Sequence, residues 1–172
     1  MKTIILVRHA KSGYKNTDII DFDRPLSEEG NNEIIFMQKL LKKLDIRSDI
    51  IFCSDAKRTR ETLECLWEQL DAENEKIVYD KGIYDFHMDE KLDYYLNLFT
   101  KIDNKKDVAI IVGHNPFITR LLRYFTKNEN LGMDTLGVAI IDFETKSWAD
   151  IEAMRGELKF FINPNKLVNK KS

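Results

Sequence analysis

Thr3-Ile4-Ile5-Leu6-Val7-Arg8-His9-Ala10-Lys11-Ser12 joins an unbroken apolar run to a cluster of ionic and polar groups. From Thr3 to Val7 the run does not alternate apolar with polar residues, which predicts a strand buried on both faces. The run stops at an Arg–His pair. In an α/β protein the loop after a buried strand lies at the C-terminal edge of the sheet, where ligands bind. A guanidinium, an imidazole, an ammonium and a hydroxyl reach that edge together, a set that suits an anion.

Moving outward, Ser27 is predicted to cap a helix that carries Glu28 and Glu29 in its first turn. Ile34, Met37, Leu41 and Leu44 give that helix one apolar face. A strand over Asp49–Cys53 follows, and Ser54 is expected to cap a helix with Leu63, Leu66, Trp67 and Leu70 on its buried side. Arg58 falls in the first turn of that helix. Lys76–Tyr79 reads as a third strand, Lys81–Asp89 as a loop, and Leu92, Tyr95, Leu96 and Phe99 as the face of a further helix.

Val108–Val112 is the clearest buried strand, and it runs into Gly113-His114-Asn115-Pro116. Asn at the cap with Pro at the first helical position predicts a helix start directly after His114. Thr135–Phe143 and Ser147–Met154 are expected to form a hairpin about Glu144-Thr145-Lys146. Strands alternating with helices predict an α/β sheet covered on both faces. One domain is expected over residues 1–163, with 164–172 as a loosely held tail.

Composition limits the function classes. A chain of 172 residues, 43% hydrophobic and 33% charged, is of the size and make-up of one soluble domain. A net charge of −2 supplies no general attraction to nucleic acid or to an anionic membrane, so neither is expected as a partner. Anion recognition must then come from a local cluster. No stretch reaches membrane-spanning length, Arg8 and His9 cut short any leader-like run, and a cytoplasmic location is expected. Cys53 and Cys65 lack metal-ligand spacing, and the three histidines are scattered, so no metal is expected.

Three strand ends carry Arg8-His9, Ser54 with Arg58, and His114. Phosphoryl transfer needs cations about the phosphate oxygens, an in-line nucleophile and a proton for the leaving group. Arg8 and Arg58 offer forked donors to phosphate, neutral His9 can accept the phosphoryl group covalently, and His114 can donate to an oxygen in the transition state.

Four segments in order, Val7-Arg8-His9-Ala10-Lys11-Ser12, Asp23 to Gly30, Ser54 to Thr62 and Val112-Gly113-His114-Asn115-Pro116, resemble the histidine phosphatase (phosphoglycerate mutase-like) superfamily. The likeness is strongest to its short, SixA-like branch. That resemblance implies a single-domain, three-layer α/β/α sandwich with a mostly parallel sheet, and a phosphatase that uses no metal and no cofactor. Carried over by position, it implies His9 as the phosphorylated nucleophile, Arg8, Arg58 and His114 around the phosphate, and Arg24 as a further cation. Ala10 stands where the larger family has Gly, a form that fits the short branch. Asp85 is the nearest match to the acid that larger relatives carry, and His87 shares its loop. The implied substrate is a phosphorylated protein or a small phosphate ester. A phosphomutase and a phosphate-binding module without turnover are the alternatives.

Overall fold

The computed structural model describes residues 1–13, 19–84, 91–151 and 155–164. Among them are six strands, β1 (Lys2–Arg8), β2 (Ile50–Ser54), β3 (Ile77–Asp80), β4 (Val108–Gly113), β5 (Val138–Phe143) and β6 (Glu157–Ile162). Four α-helices accompany them, α1 (Glu28–Leu41), α2 (Lys57–Cys65), α3 (Lys91–Thr100) and α4 (Phe117–Thr126). The strands form one sheet in the order β3-β2-β4-β1-β5-β6. β3, β2, β4 and β1 run parallel, β5 pairs antiparallel with β1, and β6 antiparallel with β5.

The unbroken apolar character of β1 follows from its central place. Ile4 and Leu6 pack with Tyr95 and Phe99 of α3 and Phe117 and Phe125 of α4. Ile5 and Val7 pack in a second core with Ile34, Met37 and Leu41 of α1 and Leu63 of α2. Successive strand residues point to opposite faces, so each face needs its own helix layer, and the result is an α/β/α sandwich. No helix among the described residues is long and apolar enough to cross a membrane.

Lys2 shows how tightly the start of β1 is held. Its ammonium is buried, yet it donates to the carbonyls of Asn104 (2.6 Å) and Lys106 (2.8 Å) and to Asp107 Oδ1 (2.8 Å). All three hydrogens of the charged group are used, which is what permits its burial.

Several local expectations shift. The second strand of the terminal hairpin is β6, not Ser147–Met154. Ser147 and Trp148 instead begin a 3-10 turn, and Trp148 is buried, stacked on Phe99 with centroids 5.8 Å apart, its Nε1–H donating to the Lys106 carbonyl. An isolated aromatic in an apolar stretch reads equally as strand face or core plug, and here it plugs. α2 ends at Cys65, so Leu66 and Leu70 reach the core from the turns that follow. Ser54 is the last residue of β2 rather than a cap, and the cap position of α2 is Ala56. α4 starts at Phe117 with Pro116 at its cap, because the Asn115 side chain is occupied elsewhere: Nδ2–H donates to the Met133 carbonyl and Oδ1 accepts from Thr119. The tail from 165 lies outside the described residues.

Candidate active site

Strand order creates the site. β4 lies between β1 and β2, and register places Arg8 beside Gly113 and Cys53 beside Val112. His9 and His114, just beyond the ends of β1 and β4, and Ser54, the last residue of β2, therefore meet at one sheet edge. The His9 N–H donates to the Gly113 carbonyl, and the rings of His9 and His114 have centroids 5.0 Å apart. His114 Nε2 is 2.8 Å from the Ser54 hydroxyl.

His9 is buried, and its Nδ1 lies 2.7 Å from the Ala10 carbonyl oxygen. A carbonyl only accepts, so Nδ1 carries the hydrogen and Nε2 the lone pair. Arg58 Nε–H approaches that lone pair at 3.4 Å. Burial above all, and then Arg58, Arg8 and Arg24, bring the His9 pKa down to about 3 against the opposing Ala10 bond. The imidazole is consequently neutral at physiological pH.

One face of α2 docks the loop that carries His9 and the segment that leads into α1. Arg58 reaches His9, Thr62 Oγ1 accepts from the Ala10 N–H (3.0 Å), and Glu61 Oε2 accepts from the Leu26 N–H (2.7 Å). Spacings of three and four residues put these side chains on the same helical face.

Three guanidinium groups converge on a cavity of about 300 Å³ between these elements. Arg8 Nη1–H donates to the Met133 carbonyl (2.9 Å), and burial lowers the Arg8 pKa against the opposing pull of Asp134. Arg24 donates to the Gly13 carbonyl (3.3 Å) and pairs with Asp21 (2.9 Å). Arg58 also pairs with Asp21 (3.0 Å) and is nearly fully buried. Among the described residues, Arg8 Nε and Arg24 Nε are buried without a hydrogen-bond partner. Donors of fixed positive charge about a neutral imidazole lone pair can bind a tetrahedral oxyanion and attack it.

Residues 4–94 match the histidine phosphatase superfamily (branch 1). The chain belongs to that superfamily.

The described fold superposes on a structure from Agrobacterium tumefaciens designated phosphohistidine phosphatase SixA, with a TM-score of 0.76, 27% identity, and coverage of 95% of this chain and 99% of that one. A protein histidine phosphatase SixA solved with tungstate has the same fold, at a TM-score of 0.73 and 19% identity, over 96% of this chain and 99% of that one. In sequence, an uncharacterised chloroplastic protein of Arabidopsis thaliana is 28% identical over 162 residues, 90% of this chain and 72% of its own length.

Within this histidine phosphatase fold, the structure brings together Arg8, His9, Arg24, Arg58 and His114, all of which line the cavity. Asp85 and His87 lie outside the described residues. Sequence reasoning missed two neighbours, Asp21 and Tyr84, and the partner of a third, Ser54. Asp21 pairs with both Arg24 and Arg58. Tyr84 donates its hydroxyl hydrogen to Asp21 and stands edge-on to the His114 ring. Ser54 contacts His114, a contact between residues 60 positions apart. Only Asp21 left a signal, an acid three residues before Arg24 at the spacing of a 3-10 turn.

Proposed function

We propose that the protein is a metal-independent phosphatase that passes the phosphoryl group through a covalent phosphohistidine on His9, acting on phosphohistidine proteins or small phosphate esters. The observation that carries this reading is the His9 tautomer: Nδ1–H bonded to the Ala10 carbonyl and an unprotonated Nε2 beside Arg58 in the arginine-lined cavity. Family membership and the SixA-like fold support phosphatase chemistry in general.

In the first step Nε2 forms a bond to phosphorus as the bond to the leaving group breaks. Arg8, Arg24 and Arg58 neutralise charge on the transferring oxygens, and His114, oriented by Ser54, contributes at the same group. In the second step water attacks phosphorus, the N–P bond breaks, the electron pair returns to Nε2, and inorganic phosphate leaves. Splitting the reaction requires that Nε2 be a nucleophile in one half and a leaving group in the other.

The test is His9→Ala together with acid-quenched labelling. Wild-type protein given a labelled phosphate ester should carry acid-labile, alkali-stable label on His9, in the presence or absence of chelator. His9→Ala should be folded and inactive. Full hydrolysis by His9→Ala, or strict dependence on an added metal ion, would overturn the reading.

A further inference from the structure

A guanidinium presents its hydrogens along two usable edges, an end edge from Nη1 and Nη2 and a side edge from Nε and Nη2. In Arg58 the end edge is taken by Asp21. Nη1–H donates to the Asp21 backbone carbonyl (2.6 Å) and Nη2–H to Asp21 Oδ2 (3.0 Å). The side edge is what remains, and its Nε–H points at His9 Nε2.

Asp21 is itself fixed from several directions. Its Oδ1 pairs with Arg24 at 2.9 Å, and its Oδ2 also accepts from the Tyr84 hydroxyl at 3.0 Å. The Tyr84 ring meets Phe22, the next residue of the same 3-10 turn, edge to face at 4.9 Å. Arg58 lies 5.6 Å over that ring. Asp21 thus joins two of the three cavity arginines through one carboxylate.

We propose that Asp21 is a positioning residue for phosphoryl transfer: it holds the end edge of Arg58 so that the side edge faces the phosphorus attacked by His9. This rests on the phosphoryl-transfer reading above. Asp21 and the transferring group use different edges of the guanidinium, which share Nη2 but not its hydrogens, so both are accommodated at once, and Asp21 need not leave for substrate to bind. A role as proton donor fits poorly. Burial raises its pKa, but Arg58, Tyr84 and Arg24 outweigh that and hold the carboxyl below its usual range.

A positioning role predicts a split between rate and binding. Without Asp21, Arg58 keeps its charge and still attracts phosphate, while a negative charge near the bound anion is removed. The loss falls on the geometry of the transition state.

The experiment compares wild type, Asp21→Ala, Asp21→Asn, Arg58→Ala and the Asp21→Ala/Arg58→Ala double variant. It reads the single-turnover rate of His9 labelling at saturating ester, and the inhibition constant of inorganic phosphate. Removing one fixed donor from a transition state costs about 100-fold or more, so losing its alignment should slow labelling by at least about tenfold. The phosphate inhibition constant should stay within about threefold or become tighter, and Asp21→Ala should add less than about threefold to the Arg58→Ala loss, because the two act as one unit. Asp21→Asn, which keeps the shape, carries the test if Asp21→Ala does not fold. Labelling within tenfold of wild type, a phosphate constant weakened beyond threefold, or a fully additive double variant would each overturn the proposal. Absence of label on wild-type His9 would instead overturn the phosphatase reading beneath it.

Discussion

An imidazole that attacks phosphorus must keep its lone pair available, and His9 does so through burial and a single backbone contact. Its pKa of about 3 lies below the ordinary 6.5. On acidification the unfolded chain therefore takes up this proton before the folded one does. The contribution of His9 to stability is complete above about pH 6.5 and is lost progressively as the pH falls towards 3. Urea midpoints of wild type should decline more steeply than those of His9→Asn between pH 6.5 and 4.5. In the same range the His9 ring nitrogens should report an unchanging Nδ1–H tautomer by nitrogen NMR. A ring that titrates near 6.5 would contradict the assignment.

The proton for the leaving group is the other question at this scale, and Asp85 is the residue proposed for it. An alkyl phosphate expels an alkoxide, about as strong a base as hydroxide. Phosphohistidine expels an imidazole, whose conjugate acid has a pKa of about 6.5. With Asp85 as the acid, Asp85→Asn slows alkyl phosphates by about 100-fold and leaves phosphohistidine nearly unchanged. Single-turnover rates across leaving groups of rising basicity check this. An unaltered dependence on basicity would remove Asp85 from the mechanism.

At the scale of elements, the approach of α1 to the His9 loop governs the shape of the cavity. Ser27 caps α1 by accepting from the Gly30 N–H, and its own hydroxyl donates to the Lys11 carbonyl (3.1 Å). The Ser27 N–H donates to the same carbonyl at 2.9 Å. The helix begins so close to this strand of loop that a Cβ on Gly30 would lie 2.1 Å from the Lys11 carbonyl oxygen. That oxygen is backbone and is already held by Ser27, so the helix must back away. Gly30→Ala should cost about 1–3 kcal/mol, as overpacking does elsewhere. Because Lys11 and Ser12 line the cavity, KM should rise as well. Urea unfolding and steady-state kinetics measure both, and an unchanged midpoint would mean that the contact yields freely.

For the whole molecule, local pattern determined much. The apolar runs of β1 and β4 announced doubly covered strands, Ser27 announced the start of α1, and Arg8-His9, Ser54 to Thr62 and Gly113-His114 marked the strand ends that line the cavity. These are short-range signals: periodicity, capping chemistry, and a change from apolar to ionic residues. Strand order was not among them, since nothing within β4 states that it inserts between β1 and β2. That insertion sets His114 against Ser54 and His9, and only the packed sheet supplies it. Trp148 and Asn115 were misread for a related reason: each has a plausible local role, and a distant carbonyl, of Lys106 or Met133, claims its side chain instead. Asp21 is the fullest case. Its sequence neighbours, Ile20 and Phe22, name no partner for it, and its charge is answered by Arg58, 37 residues away, and by Tyr84, 63 residues away. The sequence thus determined which chemical groups are present and on which element each is carried. The tertiary structure decided their partners, because hydrogen bonds and ion pairs depend on distance in space, which the chain's order leaves open.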